Sequence, residues 1–329
     1  MNLVLIGYGY WGPNIAKNVM FSKDFNLFGI CDINQERLNR AKTIYGDRTK
    51  YFSDYRELLA MDEIDAFALA VKNDVGQKIA EEMLKAGKHL FIEKPLAKSV
   101  KDASVLKKLA KDNELILHVD HIMVFNPLVR KIKGLIDQGE LGELLYYDSS
   151  RVNLGPSIKE DVNAMWDLAV HDLAVIDYLS NGAKSLKVNA LGLNKYSSKE
   201  ALTYLTVQYD GFIAMLKSSW ISPLKERQVV IGGTKKMVVF DELKMDKLLV
   251  YDKGIHYKEK YEEYGQYEVS IRNGDMYSPF ITEEDSLLNS INHFADCIKT
   301  KSESISNADQ AIRVLSILEQ ADIELRHAD

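Results

Sequence analysis

Cysteine is nearly missing from this chain. Cys31 and Cys297 are its only two in 329 residues, far apart and in no metal-ligand spacing. That excludes a disulfide framework or a cysteine-built metal centre and suits a reducing compartment. Positive charge is short as well, with 42 Lys and Arg against 48 Asp and Glu and a formal net charge of -6. A phosphodiester backbone or an anionic membrane surface therefore meets no global basic field, and neither nucleic acid nor membrane is an expected partner. Wholly apolar runs last only a few residues, too short to span a bilayer. The first residues enter an apolar stretch with no charged leader or small-residue cleavage site ahead of it, so a cytoplasmic location is expected. No G-x-S-x-G occurs, which removes the nucleophile elbow of serine hydrolysis. His118, Asp120 and His121 cluster, but a metal needs three or four converging ligands, and none is expected.

What is present is ordinary globular material, 46% hydrophobic and 27% charged, over a length of about two domains. The first 120 residues alternate short apolar runs with amphipathic ones, the mark of βαβ units and a parallel sheet. Strands are expected at Asn2 to Ile6, Leu27 to Cys31, Tyr51 to Phe52, Ala66 to Val71, His89 to Ile92 and Leu115 to Val119. Asn34 and Asp54 stand as helix N-caps, Gly46 and Gly87 as helix stops. Beyond His121 the pattern changes. Asn126-Pro127 opens a helix that ends near Gly139. Longer alternating runs follow at Leu202 to Tyr209, Phe212 to Trp220, Gln228 to Gly232 and Met237 to Asp241, joined by turns too short for parallel crossovers. Two amphipathic helices, Asp285 to Lys299 and Asn307 to His327, close the chain. The expected class is α/β: a doubly wound Rossmann sheet over residues 1–122, then an α+β domain on a large, mostly antiparallel sheet over 123–329, with the last helices allowed to pack back on the first. Tyr251, Tyr257, Tyr261, Tyr264, Tyr267 and Tyr277 form a tyrosine-rich stretch, read as cross-strand or subunit contacts.

Gly7-Tyr8-Gly9-Tyr10-Trp11-Gly12 matches G-x-G-x-x-G directly after the first strand and at the mouth of the first helix. Gly7 permits the turn, Gly9 clears the way for a pyrophosphate, and Gly12 lets helix and strand pack closely. Free N–H groups at the helix start favour an anion. Asp32 ends the second strand twenty residues after Gly12, where a carboxylate accepts both ribose hydroxyls and repels a 2′-phosphate. NAD is thus expected over NADP. Arg37 is expected to pair with Glu36 or Asp47.

Glu93-Lys94-Pro95 closes the fifth strand, on the sheet edge where α/β folds bind ligands. A partly desolvated lysine there can take or return a hydroxyl proton. The plainer reading is a surface lysine paired with Glu93. Asp167 and His171 stand four apart, one helical turn, so both can face one substrate. The plainer alternatives are a helix N-cap for Asp167 and a hydrogen-bonded core histidine for His171.

Together these motifs resemble the glucose-fructose oxidoreductase, inositol dehydrogenase and rhizopine-catabolism (Gfo/Idh/MocA) family. The resemblance extends through Gly87-Lys88-His89, Phe125-Asn126-Pro127, Gly139-Glu140-Leu141-Gly142 and Asn292-His293-Phe294. Gly9 to Asn14 and Trp166 to Asp172 are similar to the branch acting on nucleotide-linked amino sugars, such as UDP-N-acetylglucosamine 3-dehydrogenases. It implies Lys94 as central acid/base, His171 as proton-transfer partner and Asp167 as ligand of a substrate hydroxyl. Gly7, Gly9, Tyr10, Trp11, Gly12, Asp32, Glu93 and Lys94 would hold NAD. Arg151 and Asn153 would reach the sugar or its phosphate, unless they form a rim salt bridge or strand-end hydrogen bond. The sheet would give a homodimer or homotetramer. Two departures stand out. Ala70-Val71-Lys72-Asn73-Asp74-Val75-Gly76 replaces the family's Ala-Thr-Pro run and its later histidine, and Asp120 stands where glycine is common. The expected activity is hydride transfer between a sugar alcohol carbon and nicotinamide; the rival expectations are a non-catalytic NAD- or sugar-sensing regulator and a polyol or inositol dehydrogenase.

Overall fold

The computed structural model describes residues 1–155, 162–196, 198–259 and 267–326. Tyr261, Tyr264 and His327 lie outside the described residues. The chain divides into two compact units, the first comprising Met1–Asn126 and Glu284–Ser316, the second Pro127–Glu283 and Ile317–Asp329.

The first unit holds six parallel strands, β1 (Asn2–Ile6), β2 (Asn26–Cys31), β3 (Lys50–Phe52), β4 (Ala66–Leu69), β5 (His89–Glu93) and β6 (Leu117–Asp120), in the order β3-β2-β1-β4-β5-β6. This is the doubly wound arrangement expected from the alternating pattern. The central strands read as unbroken apolar runs because both faces are covered: β4 is buried at every position. Crossovers are made by α1 (Gly12–Phe21), α2 (Gln35–Tyr45), α3 (Asn73–Lys85) and α4 (Val100–Asp112). Asn34 caps α2 by accepting from the Arg37 backbone N–H at 3.0 Å. Asp54 is a cap as well, but of a single 3-10 turn, Tyr55–Leu58, and not of a helix. That one turn is enough to bury Leu58 before the chain enters β4.

The last strand would leave an open sheet edge, and a distant segment covers it. Val119 donates its N–H to the Ser306 carbonyl at 2.9 Å, and the Ser306 hydroxyl donates to the Val119 carbonyl at 2.7 Å. The helix before that segment, the seventh in chain order (Ser286–Thr300), is capped by Asp285, whose Oδ1 accepts from Leu287 and Leu288. It drives Phe294 into the core, stacked on Phe25 at 5.6 Å and tilted against Phe91 at 5.9 Å.

The second unit begins with α5 (Pro127–Asp137) and carries β7 (Leu144–Leu154), then a π-helical turn (Met165–Ala169) running into α6 (Val170–Leu179). Strands β8 (Ser185–Leu193), β9 (Leu202–Tyr209), β10 (Ile213–Ser219), β11 (Ile221–Gly233), β12 (Met237–Asp241), β13 (Leu248–Glu259) and β14 (Tyr267–Tyr277) complete it, before α7 (Ser286–Thr300) and α8 (Ala308–Arg326) end the described chain. The sheet order is β14-β13-β12-β11-β7-β10-β9-β8. Seven strand contacts could all have been antiparallel, but β7 and β10 pair in parallel. A parallel neighbour requires a crossover, which α6, β8 and β9 supply. Val188, Ala190, Leu205, Val207, Ala214 and Leu216 are buried on one face of this sheet, whereas Leu191, Tyr204, Ile213 and Met215 share the other by register and are exposed.

Truncating a fully buried aromatic costs about 3–5 kcal/mol. Phe294→Ala is therefore expected to lower the urea midpoint of the transition that unfolds the first unit by that order, followed by fluorescence and circular dichroism. An unchanged midpoint would show that α7 does not support the core.

Candidate active site

The glycine turn is packed from below and open from above. Gly7 has φ +94°, and a Cβ there would lie 2.4 Å from the Ala70 carbonyl oxygen. A Cβ on Gly12 would lie 2.2 Å from the Gly7 carbonyl oxygen, so strand and helix touch through backbone alone. Gly9 is the opposite case: only the Arg37 guanidinium approaches its missing Cβ, at 3.7 Å. The backbone is bare where a diphosphate would meet the N-terminus of α1, and the residues fit a dinucleotide. Tyr10 is 96% exposed beside this turn, while Trp11 packs inward against the core.

Asp32 is buried at the end of β2 and accepts from the Tyr8 N–H at 2.7 Å through Oδ2 and from the Asn34 N–H at 2.8 Å through Oδ1. Arg37 pairs with Asp32 itself, 3.5 Å away, and not with Glu36 or Asp47. Standing in the first turn of α2, it reaches back over the strand end. Arg40 follows one turn later, its guanidinium 5.4 Å from the Tyr8 ring centroid and 3.4 Å from the Tyr8 carbonyl. These two arginines flank the carboxylate that would take the ribose.

Parallel register carries Glu93 at the end of β5 opposite Asp120 at the end of β6. Oε2 of Glu93 accepts from the Lys94 backbone N–H at 2.9 Å, and the Lys94-Pro95 peptide is cis. Val71, Ile92, Glu93 and Pro95 help to line a concavity at these strand ends, together with Gly76 of α3. Lys72 stands at the N-cap position of α3 without a side-chain cap bond. Burial pushes the Glu93 carboxyl up to about 7 against the opposing pull of Lys94. Asp120 is raised well above the usual carboxylate range by burial and then by Glu93. His121, also buried, is lowered to about 3 by desolvation and by Lys94, so it is neutral. His118 is stacked on Phe91 at 4.9 Å and held between the hydroxyls of Ser290 and Ser304.

In the second unit, Asp167 sits inside the π-helical turn and His171 in the first turn of α6. The expected α-helical spacing is thus opened by one residue per turn, a distortion common at functional sites. Asp167 is not the N-cap: Asn163 fills that role, its Oδ1 accepting from the Trp166 N–H at 3.0 Å. The Asp167 carboxylate instead accepts from the Trp220 indole N–H at 3.2 Å. Arg151 is buried, donating to Asp172 at 3.0 and 3.3 Å and to Glu242 at 3.2 Å. Burial alone would lower its pKa; Asp172 and Glu242 overcome this and raise it. Its guanidinium is engaged within the protein, and Tyr147 adds a further bond to Asp172 at 3.1 Å. Asn153 accepts from Arg227 at 3.3 Å. Arg227, half-buried beside Arg151, was not singled out from sequence because nothing in β11 distinguishes it, and neither was Ser290, which reaches Asp120 from α7.

Comparison with known proteins agrees with this architecture. Residues 1–121 match the model of an oxidoreductase family with an NAD-binding Rossmann fold, and residues 129–239 match the Gfo/Idh/MocA C-terminal domain. The chain is 27% identical over 256 residues to UDP-N-acetylglucosamine 3-dehydrogenase of Acidithiobacillus ferrooxidans, covering 77% of this chain and 78% of that protein. It is 26% identical over 192 residues to inositol 2-dehydrogenase of Salmonella paratyphi B, 56% of either chain. A solved structure of the Acidithiobacillus enzyme superimposes with a TM-score of 0.83 at 23% identity, covering 99% of this chain and 98% of that one. With both domain models matched in order along a Rossmann sheet and a large mixed sheet, the chain belongs to the Gfo/Idh/MocA family of oxidoreductases.

Proposed function

We propose that the protein is an NAD-dependent dehydrogenase acting on a secondary alcohol carbon of a sugar, specifically of a nucleotide-linked sugar. The observation that carries this reading is Lys94 at the carboxyl end of β5, one strand from the β4 end that packs under the glycine turn. Similarity to a UDP-N-acetylglucosamine 3-dehydrogenase supports the substrate class. Bound NAD would supply the hydride acceptor of its nicotinamide ring. In the oxidative direction Lys94, cationic in the free protein, first loses its own proton to solvent; as the amine it then takes the sugar hydroxyl proton as hydride leaves, and the charge it regains stabilises the developing alkoxide. Asp167, oriented by the Trp220 indole, accepts a sugar hydroxyl, and His171 is the proton-transfer partner. Arg151 acts through Asp172, which it holds in the first turn of α6 next to His171 in sequence. Asn153 and Arg227 together present the polar groups for the phosphate side. Gly7, Gly9, Tyr10, Trp11, Gly12, Asp32 and Glu93 hold the cofactor. The exposed face bearing Leu191, Tyr204, Ile213 and Met215 supports self-association as a homodimer or homotetramer.

Similarity to an inositol 2-dehydrogenase favours a second reading, a polyol dehydrogenase, which free cyclitols would separate from the first. The segment Lys72 to Gly76, which opens α3 where the family carries a different run, favours a third, a sensor, which would bind NAD and turn over no sugar.

Lys94→Ala is expected to lower kcat by on the order of 10²- to 10⁴-fold with NAD affinity retained. Turnover at the wild-type rate in steady-state NADH absorbance assays with UDP- and TDP-sugars would sink the assignment. Asp32→Ser is expected to weaken NAD binding by on the order of tenfold to a hundredfold, the value of a charge-assisted hydrogen bond. The same change should improve NADP binding, since Arg37 and Arg40 already flank the position. Fluorescence titration with both dinucleotides reads this, and an unaltered preference would remove Asp32 from the ribose site.

A further inference from the structure

Two carboxyl groups standing side by side in parallel register, one buried and one part-buried at the lip of a concavity, cannot both carry charge cheaply. Glu93 and Asp120 are such a pair. The groups facing them come from several elements. Lys94 follows Glu93 on β5, and His121 follows Asp120. Trp11 comes from the start of α1, and Ser290 and the Asp285 cap come from α7. Lys94 is the cation acting on Glu93, while His121 is buried and both its ring nitrogens lack hydrogen-bond partners. Asp285 adds a further negative charge that opposes ionisation of Asp120.

Hydrogen bonding also orients Asp120. Ser290 donates its hydroxyl to Oδ1 at 2.8 Å, so its oxygen is left to accept from His118 Nε2, 3.0 Å away. His118 Nδ1 then accepts from the Ser304 hydroxyl at 2.9 Å. Every donor in this row points toward Oδ1. Oδ2 is buried and makes no full hydrogen bond, leaving room for a proton there, while the Trp11 indole N–H also faces the carboxyl and favours its charged form.

We infer that Glu93 and Asp120 hold one proton between them at the carboxyl ends of β5 and β6, and that the pair gives it up to solvent when the cationic ring of NAD⁺ arrives. One carboxylate balances Lys94. A second becomes favourable only with a second cation, which NAD⁺ carries on its ring and NADH lacks. The pair therefore distinguishes the oxidation states of the cofactor by charge, and Asp120 acts through Glu93 as a positioning residue. The inference rests on the dinucleotide reading of the glycine turn, not on the identity of the sugar.

Calorimetric titration of the full chain with NAD⁺, in two buffers of different ionisation enthalpy, counts the protons released. The expected result is a release of up to about one proton per site, greatest near neutral pH, with little or none on binding NADH. Asp120→Asn and Glu93→Gln should each abolish the release. Infrared difference spectra of the cofactor-free protein across the same pH range should show one carboxylic-acid carbonyl band that persists at neutral pH and is lost in Asp120→Asn. If Asp120→Asn does not fold, Glu93→Gln gives the same two readouts. Equal release with NADH, release retained in the variants, or NAD⁺ binding without release would each overturn the inference. A carboxylic-acid band with no NAD⁺ binding at all would overturn the cofactor reading while showing that the proton is held.

Discussion

Desolvation at the carboxyl ends of one parallel sheet governs the chemistry available to this protein. Because all six strands run the same way, the ends of β1, β2, β5 and β6 open on one edge. The glycine turn, Asp32, Glu93 with Lys94, and Asp120 with His121 are therefore neighbours in the fold although spread over 114 positions of chain, from Gly7 to His121. The strands behind them are buried on both faces, so polar groups at the ends lose water on one side. Glu93, Asp120 and His121 all shift toward their neutral forms for that reason.

The same cost recurs in the second unit with a different solution. Arg151 is buried like Asp120 but stays charged, because Asp172 and Glu242 meet it with complementary charge, while Tyr147 donates its hydroxyl to Asp172 and helps hold that carboxylate. A buried cation matched in this way is a structural member, and it fixes the first turn of α6. Asp167 accepts from the Trp220 indole N–H and acts electrostatically on Arg227. Two arginines that look alike along β7 and β11 thus differ in role through their surroundings: Arg151 is locked in, and Arg227 lies half-buried at the margin.

Local pattern determined a good deal of this molecule. Unbroken apolar runs mark β1 and β4 because parallel strands are covered twice, and the three glycines with Asp32 announce a dinucleotide turn because each answers a steric or electrostatic need that no other residue type meets. Strict alternation marks β9 and β10, where one face is buried and the other exposed. Asn34 as the cap of α2 and Pro127 at the head of α5 are likewise local events, readable from a few residues.

What the chain's neighbours in space decided was different in kind. No local pattern says that Arg37 turns back to Asp32, that Arg151 is enclosed, or that the turn around Asp167 opens into a π-helix. Each depends on a partner brought in from elsewhere. Nor does the sequence near Asp120 reveal that Ser290, 170 positions later, donates to it, or that Ser306 covers the open edge of β6. Periodicity and turn chemistry operate over a few residues and so are written in the sequence itself. Burial, charge pairing and proton affinity are properties of a place, and the place exists only once the sheets have formed and the closing helix has packed.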